Sequence, residues 1–221
     1  MADWATISAL ATGGGTLVLA IATFGSVRSS NRTARLAERT LLLGIRPVLV
    51  PSRPDEDPHE RLRFGDTEMI SLSPGAALVR DHNENVYLAL ALRNVGAGLA
   101  VIHGWRPHAG RDGDPHAGRD REMRRPDVAD FHDQLRDLYI SANDTGFWQG
   151  ALRDAADPVR EAIRREIARE EAILTLDLLY GDHEGGQLTI SRFTITPNPD
   201  RGEEWQCGVL RHWSVDGADP R

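Results

Sequence analysis

From Trp4 to Val27 the chain runs for 24 residues without a charged side chain, reading WATISALATGGGTLVLAIATFGSV. As a helix at about 1.5 Å per residue, such a segment reaches about 36 Å, enough for a hydrocarbon core of about 30 Å with some tilt. Its weak point is Gly13–Gly15, since each glycine costs about 1 kcal/mol against alanine in a helix in water. Spanning helices tolerate glycine better, because in lipid the backbone must close its own hydrogen bonds. The half from Leu17 to Phe24 is strongly apolar, and Trp4 stands where an interfacial aromatic anchor belongs. Residues 1–27 are therefore expected to form a transmembrane helix.

The flank sets the orientation. Arg28, Arg32, Arg35, Arg39 and Arg46 follow the segment, with Glu38 the single acid among them. Basic residues within about 15–20 residues of a span stay on the cytoplasmic side. A single pass through the cell membrane, amino terminus out and carboxy-terminal part in the cytoplasm, is the expectation. The lone cysteine, Cys207, fits a reducing compartment. A cleaved signal peptide is the competing reading and would make the protein an exported one. Ala20-Ile21-Ala22 passes for a cleavage site, but only Asp3 and the initiator amine precede the segment where a positive region belongs. A buried core helix is the remaining alternative.

Arg28, Arg32, Arg35 and Arg39 recur at i, i+4, i+7 and i+11, which aligns them in one stripe on a helix. Residues 28–46 thus read as an amphipathic helix continuing from the span, ended by Gly44 and Pro47. The stripe suits contact with the bilayer surface and its anionic headgroups, at about 1 kcal/mol per arginine. The simpler account is that it fixes topology and solvates the helix.

From Pro47 onward the pattern changes to short strands separated by turn signals. The candidates are 48–50, pieces around 62–64 and 69–72, 76–80, 86–93, 99–105, 173–180, 187–196 and 205–213. Leu188, Ile190 and their neighbours alternate at period two, and Gly181-Asp182-His183-Glu184-Gly185-Gly186 is the turn before them. Residues 137–141 and Phe147-Trp148 are ambiguous. One helix is signalled by Asp157 as cap and Pro158 in the first turn. Residues 107–130, with His-Ala-Gly-Arg-Asp at 108–112 and again at 116–120, read as a long flexible insertion. The fold class expected is mainly β with helices: residues 47–221 as an antiparallel Ig-like β-sandwich with one inserted helix.

Composition excludes several functions. The net charge of −7 divides into +3 up to Arg46 and −10 beyond it, so the large domain is no general nucleic-acid binder. All 26 basic residues are arginine, which removes lysine catalysis and lysine-dependent phosphate motifs. One cysteine excludes an intramolecular disulfide and any zinc site with two thiolates.

The amino-terminal span, the arginine helix, the Arg-Pro-led strand, LALRNVGAGLA and LLYGDHEGG together resemble single-pass bacterial membrane proteins of GC-rich genomes. Those carry a small cytoplasmic β-sandwich and no assigned activity. The resemblance implies architecture and location, and it brings no catalytic residues.

The chemistry on offer is sparse. No phosphate-cradling glycine pattern, nucleophile elbow or paired-histidine metal helix occurs. His108 and His116 with Asp112, Asp114 and Asp120 sit in a Gly-rich loop that offers ligands no support, so no metal or cofactor is expected. Asp182, His183 and Glu184 form the one weak catalytic cluster, if His103 or His212 comes near. Cys207 reads as a strand cysteine, and Trp105, Trp148, Trp205 and Trp213 as core or edge aromatics. The expected function is a membrane-anchored interaction module with an unknown protein partner. A tethered enzyme using Asp182, His183 and Glu184 is the alternative.

Overall fold

A computed structural model describes residues 3–53, 55, 60–63, 70–110, 124–169, 171–200, 202 and 204–216. The chain divides into two units, Met1–Gly44 and Ile45–Arg221. The first is a single helix, α1, of 41 residues from Trp4 to Gly44, about 60 Å long. It runs through Gly13–Gly15 and stops at Gly44, three residues ahead of Pro47. Every described residue from Thr12 to Leu41 is exposed. The hydroxyls of Thr16 and Thr23 donate back to the carbonyls of Thr12 and Leu19, at 2.9 and 2.8 Å, so neither needs an outside partner. Among the described residues no helix is long and apolar enough to cross a membrane. Residues 1 and 2 and the side chains of 5–11 and 18, all within the expected span, lie outside that description.

The described residues of the second unit form antiparallel β strands with one α-helix and a short 3-10 turn, Val128–Asp130. Its strands are β1 (Leu49–Pro51), β2 (Glu60–Leu62), β3 (Ile70–Leu72), β4 (Ala76–His82), β5 (Asn85–Asn94), β6 (Ala100–Ala109), β7 (His132–Ile140), β8 (Thr145–Leu152), β9 (Leu174–Gly181), β10 (Leu188–Pro197) and β11 (Glu204–Ser214). The helix α2 spans Pro158–Ile167, capped by Asp157, whose carboxylate accepts from the Val159 amide. Residues 64–69, between the two expected strand pieces, lie outside the described residues, but β2 and β3 pair antiparallel, Glu60 opposite Leu72.

Among the described residues the strands do not divide into the two facing sheets of the expected Ig-like sandwich. Nine strands make one continuous sheet in the order β1-β5-β4-β11-β10-β9-β6-β7, with β8 also on β5. Strand β5 offers one edge to β8 along Val86–Arg93 and the other to β4 and β1. The sheet therefore curls until its two margins, β7 and β8, meet at the turn 141–144. Strand twist, and register shifts between Ile102 and Gly104 and between Arg192 and Phe193, supply the curvature. A sandwich and a curled sheet share the same alternation of apolar residues, so periodicity alone does not separate them.

The inside of the curl is the main core, with Leu88, Leu90, Ile102, Trp148, Leu178 and Phe193 all buried. One end is filled by Ile163 of α2, a fully buried side chain. Outside, β2–β3 covers Tyr87, Ala89 and Ala91 through Ile70 and Leu72. Phe131 lies over Leu179, Ile190 and Trp213 on the opposite flank. The expected insertion begins later than residue 107, because β6 continues through Pro107 to Ala109. Beyond Trp105 that strand has lost β7 and pairs on β9 alone, which is where a proline without an N–H is tolerated. Residues 111–123, including most of the duplicated segment, lie outside the described residues.

Candidate functional site

The turn after β9 separates the three residues expected to act together. Asp182 points inward and is buried, and its Oδ1 accepts from the Gly186 amide at 2.8 Å. Its carbonyl accepts from Gly185, whose φ of +72° suits glycine. The carboxylate is thus spent on shaping the turn, although Oδ2 keeps no hydrogen-bond partner. His183 and Glu184 face solvent, 3.9 Å apart. His103 lies against Gly181, and its buried Nε2 has no partner either. His212 is bonded to Ser191 instead.

The other expected residues fall as follows. Arg28, Arg32 and Arg35 are exposed on α1; Arg39 is on the same helix, and its side chain is outside the described residues. His108 is not a loop residue but part of β6, while Asp112, Asp114, His116 and Asp120 are not among the described residues. No group of three metal-binding side chains occurs among those described. Cys207 packs on the core, and desolvation pushes its thiol well above the ordinary value, away from thiolate chemistry. Trp105, Trp148, Trp205 and Trp213 are all buried. Gly150 makes room for two of them, since a Cβ there would stand 2.6 Å from the Trp148 ring and 3.1 Å from that of Trp105.

Two polar clusters emerge that sequence reading missed. The first lies on the outer face of β6, β9, β10 and β11. Asp177, fully buried, accepts from Arg192 Nε at 2.7 Å and from its terminal nitrogen at 2.9 Å. Arg106 donates to the same carboxylate at 3.1 Å, and the His108 ring stands 3.8 Å away. Cross-strand register imposes the meeting, with Asp177 opposite both Arg192 and Arg106. The Arg192 guanidinium also stacks on Trp213, 5.1 Å from the ring centre. Burial alone would raise the Asp177 carboxyl, but the Arg192 hydrogen bonds, with the charges of Arg192 and His108, hold it below the usual carboxylate value. The signal in the sequence is one acid in the apolar run LTLDLLYG and one arginine in LTISRFTIT.

The second cluster closes the end of the curl where the chain arrives from α1. The Leu49 amide donates to Tyr180 Oη at 3.0 Å, and Tyr180 Oη lies 2.7 Å from Ser191 Oγ. Ser191 Oγ is in turn 2.6 Å from His212 Nδ1. Tyr180 and Ser191 can each donate to the other, and the His212 tautomer sets which of Ser191 and His212 donates. Burial drives the Tyr180 hydroxyl up to about 12, against the opposing pull of Ser191, Leu49 and Arg46. Beside this chain Arg46 donates to Gln187 at 3.0 Å and to Ser214 at 3.1 Å. Asn94 completes the closure with four bonds. Its oxygen accepts from Val48 and Gly96 at 3.1 and 3.0 Å, and its amide donates to the carbonyls of Gly98 and Ile140 at 2.6 and 3.1 Å.

A serine bonded to a histidine is the start of nucleophilic chemistry. Ser191, however, is fully buried, and its other bond goes to an equally buried tyrosine. An open depression of about 540 Å³ lies at the opposite end, between Ala172, Ile173, Pro197 and Pro199. Both clusters are thus suited to holding strands and linker in place. Tyr180→Phe should therefore lower stability by about 1–3 kcal/mol, since it strands the Leu49 amide and leaves Ser191 with His212 alone. Urea unfolding of the full chain measures it, and an unchanged midpoint would show the hydroxyl idle. No family model, curated protein or solved structure matches this chain.

Proposed function

We propose that the chain is a single-pass membrane-anchored protein whose curled β unit is held on the cytoplasmic side and serves as a binding module. The observation that carries this reading is α1. Its described residues contribute no buried side chain, and Leu17, Leu19, Ile21 and Phe24 are each more than 60% exposed. A helix in water takes most of its stability from packing an apolar face. One whose described residues bury no side chain, and which is uncharged from Trp4 to Val27, is suited to lipid around that stretch. The back-bonded hydroxyls of Thr16 and Thr23 lower the cost of placing threonine there. In the β unit, the Ser–His pair is sealed and Asp182 shapes a turn, which favours binding over catalysis.

After cell fractionation the full chain should stay with membranes through alkaline carbonate washing, with an intact amino terminus by mass. A carboxy-terminal reporter should be active in the cytoplasm. Recovery in the soluble fraction sinks the anchored reading, and loss of residues 1–22 would establish the exported one.

A further inference from the structure

We propose that the α1 face bearing Arg28, Arg32, Arg35 and Arg39 binds the headgroups of anionic phospholipids, alongside the first turns beyond the uncharged segment. This rests on the membrane-anchored reading above and names the partner of the same helix.

Continuity of α1 is the first support. No break separates Val27 from Arg28, so helical rise fixes the four positions at about 1.5, 7.5, 12 and 18 Å beyond Val27. At about 100° per residue they share an arc of about 60°. Orientation by the positive-inside rule needs a count of basic residues near the span, not their alignment on one face. Charge is the second support. Arg28, Arg32 and Arg35 are exposed and take no ion pair or side-chain hydrogen bond among the described residues. Glu38 is the single acid between Trp4 and Arg46, and it stands ten residues beyond Arg28. Chemistry is the third. A guanidinium presents a planar pair of N–H donors that matches two phosphate oxygens, and every cation here is arginine.

The geometry also grades the contribution of each position. Surface potential decays over about 8–10 Å at physiological salt. Arg28 and Arg32 lie within that range, Arg35 just beyond it and Arg39 well beyond it.

The test uses the full chain reconstituted in phosphatidylcholine bilayers with a minor fraction of phosphatidylglycerol. Insertion is checked first by carbonate extraction, and the preference for each lipid is then read with spin-labelled lipids of the two kinds. Phosphatidylglycerol should be preferred, and Arg28→Gln and Arg32→Gln should each reduce that preference about five-fold. Arg39→Gln should change it less than about two-fold, and raising salt should erode all of it. Equal affinity for the two lipids by an inserted protein overturns the inference while leaving the anchor standing. Equal loss from all four positions overturns the graded contact. Failure to insert in either lipid overturns both readings.

Discussion

Asp177→Leu is expected to destabilise the full chain by about 3–5 kcal/mol, the range seen when one member of a buried ion pair is removed. Arg192 would keep its charge with 2% of its side chain exposed and lose both close carboxylate bonds. Arg106, at 23% exposure and 3.8 Å from Asp130, has somewhere else to turn. For a unit of this size the midpoint of thermal unfolding should fall by about 6–20 °C. Adding Arg192→Leu should recover most of the loss, because an apolar pair replaces a buried ion pair at little cost. A double variant no better than the single one would mean that the pair is not what the single change broke.

The same carboxylate predicts an acid limb. Its folded value lies below the ordinary one, so the unfolded chain takes up the proton first. The stabilisation is then complete above the unfolded value of about 3.9 and drains away as pH falls toward the folded one. Urea midpoints measured from neutral pH to about pH 3 should fall more steeply for the natural chain than for the double variant.

Gly98→Ala should be as damaging, at about 4 kcal/mol or more. A Cβ at residue 98 would overlap the Ile45 carbonyl, and one at Gly96 would overlap that of Arg46 while standing 2.7 Å from the Pro47 Cα. Neither obstacle is a flexible side chain tip. Both are the backbone that joins α1 to the β unit, and Asn94 grips the same stretch through Val48. The expected result is a lower unfolding midpoint together with rapid proteolysis between residues 44 and 49. Gly25→Ala, which meets open space on α1, is the control and should leave both unchanged. Resistance to protease in Gly98→Ala would show that the linker does not run under this loop.

Turns, helix ends and most strands were legible because they rest on local chemistry. Asp157 and Pro158 begin α2, Gly44 ends α1, and residues 181–186 turn. What the residues did not disclose was which edges pair. Residues 86–93 alternate as any half-buried strand does, yet β5 carries three partners. β7 was legible only as the ambiguous stretch 137–141 because HDQLRDLYI follows no period, and the structure gives the cause. Residues 134–137 bulge opposite the single residue His103. The two polar clusters were hidden for a related reason. Asp177 and Arg192 are 15 residues apart, and Asn94 and Val48 are 46 apart. Only register brings such pairs together. The gap between the expected strands 86–93 and 99–105 located the loop correctly but not the backbone it holds.

The bulge in β7 has a further consequence, for association between copies. Among the described residues no ladder joins β7 to β8, and the seam is bridged by Gln134, which accepts from Trp148 Nε1 at 3.1 Å. A sheet with an open margin invites a strand from another molecule. Here residues 134–137 leave the plane, Leu135 stands 97% exposed, and Asp133, Arg136 and Asp137 set charges along the margin. A straight incoming strand would find neither a continuous row of amides nor a flat face to lie on. The irregular stretch that disguised β7 thus makes this margin a poor template for a strand from another copy.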